Sequence, residues 1–249
     1  MPSLWFVVPA HGRIELARIC LTQLRRTCDQ LEADGVRATA VVIADDENLD
    51  TAYDLGFGTI ERNNRFVSRK FNDGIQLATD PNLNPHPADY VVPFGSDDWA
   101  DHRLFLELPP PNTMYGFQRM SFVREDGREI TVRDLRYMGG SGIRIYPRQL
   151  MAPLGYRPAE EDRSRGCDTS ILSNLIRHHD DRFHVQHRHL HDRQIVDWKT
   201  QGEQLNPYTS LLRWSGDDST DPFVELAGYY PAVALEAMRT HYGRTLVAA

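Results

Sequence analysis

Cysteine is scarce, and what there is forms no framework. The chain holds three cysteines in 249 residues, Cys20, Cys28 and Cys167. None makes the C-x-x-C pair of a zinc or redox site. Cys20 and Cys28 fall on one predicted helix, roughly 12 Å apart along its axis. That is beyond the ~4.4–6.8 Å Cα separation that a disulfide spans. A reducing, cytoplasmic setting is therefore expected. Positive charge is not in excess either: the net charge of −7 argues against the broad basic surface of a general nucleic-acid binder. No window approaches the ~20 apolar residues of a membrane span. The opening MPSLWFVVPAHGR lacks the basic start and long apolar stretch of a signal peptide. Internal repeats and low-complexity segments are absent from the sequence.

What is there is material for a sizeable core. The chain is 41% hydrophobic and 25% charged, the balance of a soluble globular protein. LWFVV (4–8) reads as a buried strand closed by Pro9. Ile14, Ala17, Leu21, Leu24, Cys28 and Leu31 then recur at helical spacing, with Gly35 as the stop. ATAVVIA (38–44) is a second apolar run. Strand, helix and strand with wholly apolar strands form the βαβ unit of a parallel sheet. A second helix is predicted over 67–79, then a Pro- and Asn-rich loop over 80–89. YVVPF is a third strand, though Pro93 is unusual in a central one. The run from Met114 to Arg133 reads as a hairpin turning at Glu125, Asp126 and Gly127. A glycine-rich loop and a strand follow, then a helix after Cys167. The tail from 205 is predicted helical with a break at Pro231. The expected organisation is a nucleotide-binding half (1–107), an acceptor half of the same domain (108–204) and a helical extension (205–249).

Two of the apolar strands end in paired acids, Asp45-Asp46 and Asp97-Asp98. In an open parallel sheet, ligands bind at the carboxyl ends of the strands. Adjacent carboxylates repel one another unless a positive charge lies against them. Oxygen ligands of this kind suit Mg²⁺ or Mn²⁺, ions that also take phosphate oxygens from a substrate. A single acid after a strand is also a common turn or cap residue.

Taken in order, VVPAHGR, VVIADDENLD, RKFNDGIQLA and FGSDDW resemble the nucleotide-sugar half of a GT-A glycosyltransferase, similar to family 2, over residues 4–99. ENLD stands where that family has a small-residue turn, and SDDW is not a strict D-x-D. The resemblance implies an α/β fold, a Rossmann-like mixed sheet flanked by helices. It also implies a donor of the UDP or GDP type, a hydroxyl-bearing acceptor and a Mn²⁺ or Mg²⁺ cofactor. By position, Pro9, Ala10, His11 and Arg13 would line the base and ribose, and Asp45 would hold the base edge. Lys70 and Asn72 would face the nucleotide or sugar. Asp97 would contact the ribose or sugar, and Asp98 the metal on the diphosphate.

Inverting transfer needs a base for the acceptor hydroxyl. In GT-A enzymes this is an acid at the start of a helix beyond the metal motif, a place that Asp168 fits; Glu160, Glu161 and Asp162 are nearby alternatives. Asp168 before an apolar helix also reads as a cap. Trp99 is a candidate for stacking on an acceptor sugar, and the loop with Gly140 and Ser141 for approaching a sugar or phosphate through backbone amides. Histidines crowd the segment His184–His191. His189 or His191 is a candidate further metal ligand by the same resemblance, and Lys199 lies where a diphosphate contact is conceivable. Two other readings remain open: a zinc hydrolase or lyase built on those histidines, and a sugar-nucleotide-binding module without catalysis.

Overall fold

The computed structural model describes all residues except 125, 136–141, 189–193, 200–220 and 249, and no side chain beyond residue 243. The first third alternates strand and helix: β1 (Ser3–Pro9), α1 (Ile14–Ala33), β2 (Arg37–Ala44), α2 (Asn48–Asp54), β3 (Gly58–Glu61), α3 (Val67–Thr79) and β4 (Tyr90–Pro93). Strands dominate next, with β5 (Asp98–Ala100), β6 (Thr113–Phe117), β7 (Arg119–Val123), β8 (Ile130–Asp134) and β9 (Arg144–Pro147). The chain continues through α4 (Arg148–Met151), α5 (Cys167–His179), β10 (His184–Arg188) and β11 (Ile195–Trp198), then α6 (Pro222–Glu225) and α7 (Ala232–Ala248).

Seven strands make the larger sheet, in the order β10-β6-β9-β4-β1-β2-β3. β4, β1, β2 and β3 run parallel, whereas β9 is antiparallel to both β4 and β6. This is the mixed α/β sheet expected from the sequence. Alternation along the strands sorts the core into two layers. Leu4, Phe6 and Val8 of β1 pack with Leu21, Leu24, Cys28 and Leu31 of α1 on one face. Val7, with Val41 and Ile43 of β2, meets Ile75 and Ala78 of α3 and Ile171 and Leu175 of α5 on the other. Gly74 makes the second contact possible: a Cβ there would lie 2.4 Å from Val7 Cγ1.

β4 is central despite Pro93. The proline is its last residue, and the next amide, Phe94 N–H, donates to Val7 O at 2.9 Å, so the parallel ladder loses nothing that matters. Four strands form a smaller sheet, β5-β11-β7-β8. The expected hairpin exists only as β7 and β8. β6 belongs to the larger sheet, and the chain changes sheets at Gln118, which donates to Arg188 O at 3.2 Å and accepts from Leu135 N–H at 2.7 Å. α1 serves both sheets, because Leu16, Ile19 and Cys20 turn away from the first layer to meet Trp99, Val196 and Trp198 of the second. Leu235, Met238 and Tyr242 of α7 close that cluster. The three cysteines are buried and free. Each sheet contains strands from both sides of residue 107, in adjoining blocks. Among the described residues, no helix is long and apolar enough to cross a membrane.

Candidate active site

Parallel pairing brings the carboxyl ends of β1, β2 and β4 to one edge. Beyond β1, Gly12 and Arg13 both take left-handed backbone angles, with φ of 58° and 44°. For arginine this conformation costs roughly 1–2 kcal/mol. Asp46 holds it: Gly12 N–H donates to Asp46 Oδ2 at 2.6 Å, while Oδ1 takes the Asn48 backbone and side-chain amides at 3.1 and 2.7 Å. Asp46 is thereby committed to the turn. Asp45 accepts from the Asn64 amide at 3.0 Å and lies 3.0 Å from His11 Nδ1. Its slight burial pushes the Asp45 pKa up, but the His11 hydrogen bond and the Lys70 charge outweigh this, and the net shift is downward. His11 and Asp45 lie at the open edge, with side chains 48% and 28% exposed.

Lys70 and Asn72 do not face that edge, which corrects the expectation for both. Lys70 is fully buried and donates to Ala10 O at 2.7 Å, bracing the loop from beneath. Burial lowers its pKa, opposed by the Asp45 and Asp46 charges. Asn72 is also fully buried. Its amide nitrogen donates to Ala159 O at 2.8 Å and Glu161 Oε1 at 3.0 Å, and its oxygen accepts from Ala159 N–H at 2.8 Å. It fastens the segment leading to α5. The Ala10 side chain is buried as well, and its backbone is engaged, with N–H donating to Ile43 O at 2.9 Å and O accepting from Lys70; Pro9 is half-buried.

Past β4, the turn at Gly95 leads into the acids. Gly95 N–H donates to Asp98 Oδ2 at 2.9 Å, and a Cβ on Gly95 would lie 2.5 Å from that same oxygen, so only glycine fits. Arg13 Nη1 reaches Asp97 Oδ2 at 2.7 Å. β5 then pairs antiparallel with β11, placing Asp197 directly opposite Asp98. Oxygens of Asp97, Asp98 and Asp197 all lie within 4.8 Å of one another. Lys199 Nζ donates to Asp197 Oδ2. Burial, then the Asp197 and Asp97 charges, drives the Asp98 pKa well above the usual carboxylate range. Burial likewise pushes Asp197 up to about 6, with Lys199 opposing. For Asp97, the Arg13 and Lys199 charges overcome burial, and its pKa falls.

Asp197 is the site residue that the sequence reading missed. The signal was the Asp-Trp dipeptide, present at Asp98-Trp99 and again at Asp197-Trp198. Strand alternation puts the acids on one face and the tryptophans on the other. Trp99 is therefore not available for stacking on a sugar. It is 1% exposed and packs edge-on against Trp198 at 4.8 Å, with Tyr230 at 5.0 Å.

Asp168 arrives from the far side of the sheet. The pairing of Tyr90 with Pro147 and of Val91 with Tyr146 puts Arg144, the first residue of β9, level with the carboxyl end of β4. The buried Arg144 guanidinium donates to the Asp168 carbonyl at 2.6 Å and lies 3.4 Å from Asp168 Oδ2. Asp168 is not the helix cap. Gly166, with φ of 63°, precedes α5 in that role, and Asp168 sits in the first turn with a side chain 34% exposed. Glu160, Glu161 and Asp162 engage Arg163, Arg157 and Arg69 in turn. Gly140, Ser141, His189 and His191 lie outside the described residues. His184 is exposed on β10.

This strand order, with helices on both faces and acids gathered at one edge, defines the GT-A fold. Among solved structures, the chain is similar to glucosyl-3-phosphoglycerate synthase from Mycobacterium tuberculosis. The complex of that protein with phosphoglyceric acid matches with a TM-score of 0.50 at 12% identity, covering 84% of this chain and 75% of that one. Its complex with Mn²⁺ and UDP-glucose matches with a TM-score of 0.50 at 13% identity, covering 85% and 76%. A Drosophila β-1,4-galactosyltransferase 7 variant in complex with manganese, UDP-Gal and xylobiose matches with a TM-score of 0.46 at 15% identity. That match covers 76% of this chain, which spans 65% of the length of the galactosyltransferase. No protein-family model and no curated protein sequence matches the chain.

Proposed function

We propose that the protein is a divalent-cation-dependent glycosyltransferase. It moves a sugar from a nucleotide-diphosphate donor of the UDP or GDP type to a hydroxyl acceptor, with inversion. The observation that carries this reading is the carboxylate cluster of Asp97, Asp98 and Asp197 at the carboxyl end of β4. Its chemistry fits a hard cation. All the donor atoms are oxygens, and Asp197 Oδ1 is buried with no hydrogen-bond partner. Asp98 and Asp197 would hold Mn²⁺ or Mg²⁺, and Asp97, fixed by Arg13, would meet a donor hydroxyl. When bound, such an ion supplies positive charge to the leaving diphosphate. Neighbours of the same fold that carry Mn²⁺ with UDP-glucose support the assignment.

Asp168 would be the base. Arg144 takes its carbonyl and Oδ2, and Oδ1 remains to accept the acceptor hydroxyl proton. The acceptor oxygen then bonds to the anomeric carbon as the bond from that carbon to the diphosphate oxygen breaks. The electron pair leaves with the nucleoside diphosphate. His11 and Asp45, exposed at the end of the parallel strands, would line the base.

The histidine-based zinc reading has less support. Among the described residues, neither group of three clustered potential ligands includes a histidine of the segment 184–188. A binding module without catalysis would hold donor yet never hydrolyse or transfer it. The test is calorimetric titration of UDP- and GDP-sugars with Mn²⁺ and with EDTA, alongside donor turnover. Binding that needs the ion, with turnover, is expected. Donor binding indifferent to EDTA, together with an Asp98→Asn protein that still turns over, would defeat the proposal.

A further inference from the structure

The carboxylate cluster already contains a cation. Lys199 follows β11 directly, is 5% exposed, and its ammonium donates to Asp197 Oδ2. The ammonium also lies 5.7 Å from the Phe122 ring centroid. Its backbone is pinned on both sides. Lys199 N–H donates to Val123 O at 3.1 Å, and the Tyr242 hydroxyl donates to Lys199 O at 2.6 Å. At the other end of β11, the Tyr230 hydroxyl donates to Gln194 O at 2.9 Å. The ammonium is thus presented to the acids by a strand clamped at both ends.

Counting charge shows what it does there. Fully ionised, Asp97, Asp98 and Asp197 would carry three negative charges, against two positive ones on Arg13 and Lys199. Arg13 is committed to Asp97 by its 2.7 Å ion pair. Among the described residues, Lys199 is the cation that pairs directly with Asp197, and its charge also acts on Asp98, while Arg13 adds a smaller effect on Asp197. A divalent ion drawing on those same two acids meets a fixed like charge within a buried site, where repulsion is strong. Lysine suits such a place better than arginine, since it is a compact charge on a flexible stem that can move aside.

Resting on the metal-site reading above, we infer that Lys199 is a built-in competitor for the divalent ion. It holds the acids together in the cation-free protein and must release Asp197 Oδ2 when the ion enters. The affinity for the ion alone is thereby kept low, and the cluster stays folded without it.

The test uses Mn²⁺ alone, without nucleotide, titrated calorimetrically into the full chain as wild type, Lys199→Gln and Lys199→Arg. Lys199→Gln should bind Mn²⁺ about tenfold or more tightly than wild type, and its melting temperature should rise more on adding Mn²⁺. Lys199→Arg, which keeps the charge, should bind no better than wild type. If Lys199→Gln does not fold on its own, recovery of its fold by Mn²⁺ supports the inference, since the ion then replaces the ammonium; failure of Mn²⁺ to restore it overturns the inference. A folded Lys199→Gln protein with unchanged Mn²⁺ affinity overturns the inference and leaves the metal-dependent function standing. Absence of Mn²⁺ binding in wild type and Lys199→Gln alike overturns the inference, and the donor titrations with Mn²⁺ and with EDTA then decide the metal-dependent function.

Discussion

Asp98 and Asp197 stand directly opposite one another in the β5–β11 pair, two buried carboxylates facing across a strand boundary. Like charges in that relation are destabilising, and both folded pKa values are raised, Asp197 to about 6.

The first prediction follows from that sign. A carboxyl whose folded pKa exceeds its unfolded value, about 4, binds its proton more tightly when folded. Its contribution to stability is present below the unfolded value and is lost as the pH rises through the folded one. In EDTA, Asp98→Asn should therefore melt above wild type at neutral pH, with the gap closing toward about pH 4. Mn²⁺ should stabilise wild type much more than Asp98→Asn. Thermal melts across pH with and without the ion check this, and a gap independent of pH would show that neither burial nor the neighbouring acids penalise ionised Asp98.

A second prediction concerns Arg13 and Asp97. The pair spans two strand ends, and its side chains are 31% and 19% exposed. Arg13→Ala leaves a largely buried carboxylate without its partner and should cost about 2 kcal/mol, the partial exposure keeping it below the cost for a fully buried pair. Adding Asp97→Asn should recover part of that loss. Urea unfolding of the two single variants and the double variant measures the coupling, and strict additivity would mean that the two side chains do not interact.

A third separates chemistry from helix capping at Asp168. Asp168→Asn should lower turnover by about 10²–10⁴-fold with donor affinity nearly unchanged. The helix start should be unaffected, because Gly166 stands at the cap position, and any loss of stability should be confined to the weakened Arg144 ion pair. Steady-state rates, donor titrations and melts of the same preparation decide it. Full turnover in the variant would remove Asp168 from the mechanism.

The parts of this molecule legible in the sequence are those with long apolar periodicity. The run at 4–8 and the helical spacing from Ile14 to Leu31 announce β1 and α1, and the helix over 67–79 coincides with α3. β3 could not be read that way: Gly58, Thr59 and Glu61 are all exposed, so no alternation marks the strand. β5 is three residues long and begins on an acid. Asp97 and Asp98 stood out because they adjoin an apolar strand, but Asp197 lies 99 positions further on (197 − 98), and only strand register unites it with them. Lys70 and Asn72 sit on the expected helix, yet a helical face cannot tell a side chain that meets a ligand from one that braces the loop beside it. Trp99 was misread for want of one step, since alternation had already set it on the face opposite Asp98.

The two tryptophans behind the acids have a consequence of their own. Trp99 and Trp198 each follow a carboxylate by one residue, and their rings meet at 4.8 Å with planes inclined at 66°. Indoles so close exchange excitation, and their shared absorption splits into a paired circular-dichroism band whose sign and size depend on that angle. Any shift of β5 against β11 as the acids draw together alters the angle and hence the band. The protein thus carries its own unlabelled chromophore pair, an optical gauge wired to the carboxylates through a single peptide unit on each strand.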